Sequence, residues 1–402
     1  MKHVLTHLHH SKNQEVNEMY VAMSMRSFAV SLIGIFVPIY LFTLGYSLRT
    51  IFLFYIMANA FQFVGDYLAG HAIARYGAKH LIIISYPAMV INLAMLTTLQ
   101  ILHWPLWSLA LTMAVALNLF WVPYHDDFSE AKNKMTTGKQ VGNWVILSEV
   151  SGALGPLIGG FIAQKFGIQY GILVALAIIL VAIIPLIGKH EIVSRKTFRH
   201  SALSVKKYYK DLIAYGGVSF EGMTLGVIWP LFLYLFFKNY VKVGIIVTLS
   251  LILVTLLSFA IGKMTDKYGN ERAMKTGSMI TFFTAGSRIF ALGTNMAYVI
   301  STISSLSNFV LLIPFYSVFY AHADKEPRTE YVTLMEMTVD VSRVVLYGVL
   351  YLATFLLANR WIFIVAFIFA AFGALLSQLI ARSQIQKNEK PIKKQEISRA
   401  RV

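Results

Sequence analysis

Arg26, Asp66, Glu149, Glu221, Arg288, Glu336, Asp340 and Arg343 stand inside stretches of the chain that are otherwise almost entirely apolar. A charge at the centre of a hydrocarbon-embedded helix is unfavourable by about 2.5 to 3.5 kcal/mol on insertion scales, so each must pair, face water or hold a proton. Glu336, Asp340, Arg343 and Tyr347 follow at steps of four, three and four and share one helical stripe. Two carboxyls one turn apart in a dry setting do not readily ionise together, so the stripe reads as a proton relay with Arg343 as counter-charge. The same spacing suits a structural Asp340–Arg343 pair, with Glu336 solvated or tied to the polar stretch at 262–272. Glu149 lies about nine residues into its own apolar run.

Softer polar groups accompany the charges. Asn59, Gln62 and Asp66 give one run a polar face, Asn118, Trp121 and Tyr124 mark another, and Trp229 sits in a third. "STISSLSNF" supplies a hydroxyl-rich wall with Ser304, Ser305 and Asn308. These are candidates for the lining of a solute cavity, and helix packing explains serines of this kind equally well. His125, Asp126 and Asp127 form either a metal-ligand cluster or an acidic helix cap; the cap is the reading we adopt, with no metal expected. The histidines at His3, His7, His9 and His10 read as part of a polar head. No cysteine is present, which excludes disulfides and thiolate metal sites.

The elements that position these groups are helices in lipid. Of 402 residues, 57% are hydrophobic and 13% charged, whereas ordinary soluble domains are about 45 to 50% apolar. About twelve runs are long enough to span, beginning near Tyr20, Ile51, His80, Pro105, Gln140, Gln169, Asp211, Val243, Ala273, Met296, Tyr331 and Trp361. They are continuous rather than alternating, which excludes a β-barrel. The polar head before the first span lacks the apolar core of a cleavable signal, so the first span is expected to direct insertion. With the N-terminus in the cytoplasm, 27 Lys and Arg fall inside and five outside, the pattern of the positive-inside rule. That dispersal accounts for the net charge of +16 without nucleic acid.

One six-helix unit is used twice. "GIFVPIYLF" at 34–42 matches "GVIWPLFLY" at 226–234, an offset of 192 that also pairs Gly70 with Gly262, Arg75 with Lys267 and Gly77 with Gly269. An even number of spans per copy makes the copies parallel repeats, with a solute site expected between them near the midplane. The expected organisation is a first bundle over 1–188, a cytoplasmic linker over 189–207, a second bundle over 208–385 and a basic tail over 386–402. The register places Arg26 one turn from the counterpart of Glu221, so these two either share a substrate or proton site or bridge, as Arg26–Glu149 or Arg26–Glu221, to hold the halves.

"GKMTDKYGNER" at 262–272 then carries a resemblance. Gly262, Asp266, Lys267, Gly269 and Arg272 match the G-x-x-x-D-R/K-x-G-R/K-x-R/K signature of the major facilitator superfamily, which the chain resembles along its length. The weaker copy keeps Gly70, Arg75 and Gly77 but has Ala74 for the acid, and Asp66, two turns upstream, is the expected replacement charge. In that family the cluster latches the cytoplasmic side. "GNWVILSEVSGALGPLIGG" is similar to the family's antiporter motif through Gly142, Gly155, Pro156, Gly159 and Gly160, small residues that make the fifth span a pivot.

The resemblance implies an all-α polytopic protein that moves a small organic solute by alternating access, without enzymatic activity or cofactor. We expect export in exchange for protons, in a monomer in the cell membrane with both termini cytoplasmic. An uncoupled facilitator or lipid-directed carrier is the alternative on this fold. A non-transporting membrane sensor is the alternative from another class, and it lacks a soluble module here.

Overall fold

The computed structural model describes residues 21–131, 150, 152–186, 197–291 and 293–382, with side chains except those of 130–131, 258–259 and 262–268. Gly142, Glu149 and the histidines of the head lie outside the described residues, as do the side chains of Asp266 and Lys267 and the surroundings of Gly262. The fold is a helical bundle: α1 (Val21–Thr43), α2 (Leu48–Tyr76), α3 (Ala78–Leu102), α4 (Leu106–Ala131), α5 (Gly155–Lys165) and α6 (Ile168–Ile183) form the first half. The second half comprises α7 (Val205–Phe237), α8 (Tyr240–Tyr268), α9 (Asn270–Ser287), α10 (Thr294–Ala323), α11 (Arg328–Leu356) and α12 (Asn359–Leu376). Among the described residues, ten helices are long and apolar enough to cross a membrane. Of the other two, α5 is described from Gly155 onward, and α9 carries Glu271, Arg272 and Lys275 in its first turns. Helices α2, α8 and α11 have 29 residues each, about 43 Å at 1.5 Å per residue, which matches a bilayer with its headgroups.

The repeat is visible in the backbone. α2 and α8 end at Tyr76 and Tyr268, and the next residues, Gly77 and Gly269, take φ of 85° and 83°. Side chains are strained there, so both copies turn on glycine. Pro38 and Pro230 each lack an N–H and disturb the preceding turn, one into a 3-10 turn at Gly34–Phe36, the other into a π turn at Thr224–Ile228. α7 starts at Val205, six residues before the apolar run at Asp211, because Ser204 caps it through the Lys207 N–H (3.3 Å) and its first turns carry the basic side chains Lys206, Lys207 and Lys210.

The halves meet along two seams, α2 against α11 and α5 against α8. In the second, a Cβ on Gly160 would lie 2.6 Å from the Tyr240 carbonyl oxygen, and one on Gly244 would overlap the Pro156 carbonyl, so backbones touch where the small residues fall. Gly155 and Gly159 do the same against α1, where their added Cβ atoms would collide with Ser31 and Leu32. The small residues of the fifth span therefore contact both halves.

Connections close both ends of the α2–α11 seam. At the end bearing residues 197–204, Phe198 and Thr333 occupy the space a Gly70 side chain would fill. Tyr67 bonds His200 (2.7 Å), His71 packs on the Phe198 ring (4.3 Å between centroids), and the Arg199 N–H donates to Glu330 (2.7 Å). At the other end Tyr55 stacks on Tyr347 (4.9 Å) and Arg49 donates to Thr354 (3.1 Å).

Candidate functional site

Between the halves lies a cavity of about 160 Å³, walled by α2, α4, α7, α10 and α11. Gln62 and Asp66 reach it from α2, Trp121 and His125 from α4, Tyr215 from α7, Asn308 and Tyr316 from α10, and Glu336, Asp340 and Arg343 from α11. Helical spacing explains the convergence. The stripe Glu336, Asp340, Arg343 and the set Gln62, Asp66 each lie on one face of a straight helix, and the seam turns those faces together.

Asp66 accepts a short hydrogen bond from Asn118 Nδ2, which also donates to the Gln62 carbonyl at 2.7 Å. Gly65 makes this possible, since its Cβ would sit 2.6 Å from the Asn118 side chain. The Asp66 and Asp340 carboxyls come within hydrogen-bonding reach across the seam. Two carboxyl oxygens make that contact with a proton between them. Arg343 Nη1 lies 3.6 Å from Asp340 Oδ1, while Asp340 Oδ2 is buried without a hydrogen-bond partner. Glu336 accepts from Tyr215 Oη at 2.7 Å and lies 3.6 Å from His125 Nε2. His125 bonds Tyr320 through Nδ1 at 2.7 Å, its ring held between Trp121 and Tyr316 at 5.7 and 5.8 Å.

Several sequence expectations land elsewhere. Asp66 points into the cavity rather than standing in at the latch, because its side of α2 faces α4 and α11. Glu336 is bonded by Tyr215 of α7 and approached by His125 of α4, while the side chains of 262–268 lie outside the described residues. Glu221 does not bridge to Arg26: it takes two bonds from Arg288, at 2.9 and 2.5 Å, inside the second half, with both side chains fully buried. Arg26 instead lies 3.5 Å over the Phe120 ring, its Nε and Nη2 without hydrogen-bond partners. His125 and Asp126 are no solvated cap; both are buried in the last turns of α4, and Asp126 accepts from Thr329 at 2.8 Å. Among the described residues, no three histidines, cysteines, aspartates or glutamates come together as a metal site.

Of the cavity candidates, Trp121 and Asn308 line the space and Asn118 stands behind Asp66. Tyr124 stacks on Phe120 (5.3 Å), Trp229 donates to Ser301 (3.3 Å) and Ser304 donates to the Thr284 carbonyl (3.3 Å), all packing contacts away from the cavity. Ser305 is half-buried and is not on the cavity wall. Arg75 and Arg272 are exposed, Arg75 over its neighbour Tyr76. Sequence reasoning missed His125 and Tyr215 as wall residues. The signal for His125 was present, since it follows Asn118 and Trp121 at helical steps.

A bundle of twelve helices in two repeated halves, with a cavity between them that carboxyls and an arginine face, is the architecture of a membrane carrier. Residues 19–347 match the Major Facilitator Superfamily, and the chain belongs to that family. It is a multi-pass secondary transporter that carries a small solute across a lipid bilayer by alternating access, not an enzyme. No curated protein matches the sequence significantly. Among solved structures, a variant of the E. coli fucose:proton symporter FucP is similar at 11% identity and TM-score 0.65, over 91% of this chain and 98% of that one. The nucleoside transporter NupG is similar at 15% identity and TM-score 0.63, over 92% and 99%. A NupG variant gives 14% identity and TM-score 0.66, over 92% and 100%. These likenesses concern the fold.

Proposed function

We propose that this carrier links solute movement to protons and that Asp66, Asp340 and Glu336 are where the proton is held. The observation that carries the reading is the approach of Asp66 and Asp340 across the α2–α11 seam. With a proton between them, the two halves are tied there. Without it, two like charges about 4 Å apart repel by about 4 kcal/mol at an effective dielectric of about 20. That shifts an equilibrium between two arrangements of the halves about a thousandfold. Tyr215 and His125 hold Glu336 beside the pair, and Arg343 supplies the counter-charge.

Export in exchange for protons is the direction we assign, supported by the small residues of α5 that contact both halves. Both termini are placed in the cytoplasm at the cell membrane, supported by the distribution of Lys and Arg. A single chain is the transport unit, with 1–188 and 208–385 as the rocking bodies, 189–207 as linker and 386–402 as tail.

The chain has no cysteine, so spin labels on Tyr76→Cys and Tyr209→Cys, exposed positions on opposite halves at the same end, report their separation without background. The distance distribution is expected to differ between about pH 5.5 and about pH 8, with Asp340→Asn held in the acid form at both. A distribution that ignores pH in the unsubstituted background would overturn the proton linkage.

A further inference from the structure

The charge balance of the cavity wall restricts what can enter it. Asp66, Glu336 and Asp340 face the space from α2 and α11, against the single permanent cation Arg343. The remaining titratable groups facing it are His125 from α4, Tyr215 from α7 and Tyr316 from α10. With the carboxyls ionised and His125 neutral, the wall carries a net charge of about minus two, in surroundings where an unpaired charge is strongly unfavourable. The rest of the wall combines aromatic and apolar surface, Trp121, Tyr215 and Tyr316 with Met223 and Leu312, and the neutral polar side chains Gln62, Ser219 and Asn308.

The hydrogen-bond inventory leans the same way. Asp340 Oδ2 is buried and unpartnered, and an ionised carboxylate oxygen can only accept. Asn308 Oδ1, also on the wall, has no partner, and Asn118 Oδ1 behind it has none. Arg343 Nε is a buried donor that also has no partner. An anion would find one guanidinium already facing Asp340 and would meet three carboxyls. A neutral polyol would leave the net charge unbalanced. A cation with N–H donors on an apolar body would satisfy the carboxylates and lie against aromatic faces, which attract it through their quadrupoles.

We propose that the solute of this site is a small organic ammonium ion, and that it competes with protons for the carboxyls of Asp66, Glu336 and Asp340. The inference rests on the proton-linked reading above and adds to it the chemical class of the cargo. Loss of the shared proton leaves room for one positive charge, so proton and cargo occupy the site alternately. At about 30 Å³ per water molecule, the cavity of about 160 Å³ holds about five waters or a compact solute of similar volume.

Three ring compounds of nearly equal size separate the charge classes: benzylammonium, benzyl alcohol and benzoate. Thermal unfolding of the full chain in detergent, read by intrinsic tryptophan fluorescence, gives their apparent affinities. Benzylammonium is expected to bind at least about tenfold more tightly than the other two at about pH 8, and to lose about tenfold at about pH 5.5 as protons take the carboxyls. Asp340→Asn and, separately, Asp66→Asn should erase the preference, and Glu336→Gln, which keeps a hydrogen-bonding partner for Tyr215, should weaken it if either of the first two fails to fold. Tighter binding of benzoate or benzyl alcohol, or no stabilisation by benzylammonium, would sink the proposal. If that happens while the labelled halves still respond to pH, the cargo class is wrong and the proton linkage stands. If the labels ignore pH and benzylammonium binds equally at both values, the proton linkage is what has failed.

Discussion

The two halves share a backbone and differ in their charges. Each turns on a glycine at the same place, Gly77 or Gly269, and each bends before a proline, Pro38 or Pro230. In the second half a buried carboxylate and guanidinium, Glu221 and Arg288, pair through two hydrogen bonds within the bundle, leaving Arg288 Nε without a partner. In the first, Arg26 is buried against Phe120 with two nitrogens unpartnered. The titratable groups of the cavity come from both halves but are unequal, with one carboxyl from α2 and two from α11. Duplication therefore preserved what sets helix direction and loop geometry. Charges were free to diverge because a site between the halves needs each group once.

The largest expected break in this comparison is at the ion pair. Arg288→Met leaves Glu221 buried without its partner, a loss of about 3 to 5 kcal/mol for pairs of this kind. Arg26→Met, removing a cation that has no carboxylate partner among the described residues, should cost far less in the same thermal unfolding assay. The Arg288→Met, Glu221→Met double variant should recover most of the loss, and equal losses from both arginines would refute the contrast.

Close packing gives a smaller effect. Gly159→Ala forces a Cβ onto the Leu32 carbonyl, and overpacking of this sort destabilises by about 1 to 3 kcal/mol. Gly226→Ala, where nothing lies within 4 Å of the added atom, serves as the control and should leave the melting temperature nearly unchanged. The smallest effect tests the symmetry itself. Gly77→Ala and Gly269→Ala place a side chain at positive φ, each losing about 1 to 2 kcal/mol. Their losses should agree within experimental error; a clear inequality would mean that the two turns are not equivalent.

Much of this was legible in the residues because helical periodicity is a local property. The stripe Glu336, Asp340, Arg343 and the face Gln62, Asp66 could be read from spacing, and both line the cavity. The repeat was legible through Gly34, Pro38, Gly70 and Gly77 because glycine and proline mark backbone geometry directly. Partners across helices were not. That Glu221 meets Arg288 rather than Arg26 depends on how α7 and α9 are rotated and tilted, which no spacing within one helix encodes. Gly65 gave no signal either, since its use is to admit Asn118 from a helix more than fifty residues away. Residues 197–200 read as plain linker, yet they sit against both α2 and α11.

That last placement sets an order of events. The linker is tied to the first half through Tyr67 and His71 and to the second through the Arg199 N–H and Glu330. Separating α2 from α11 at this end must first lift Phe198 off the notch beside Gly70 and unfasten those bonds. The covalent connection between the halves is therefore also a fastening across this end of the seam.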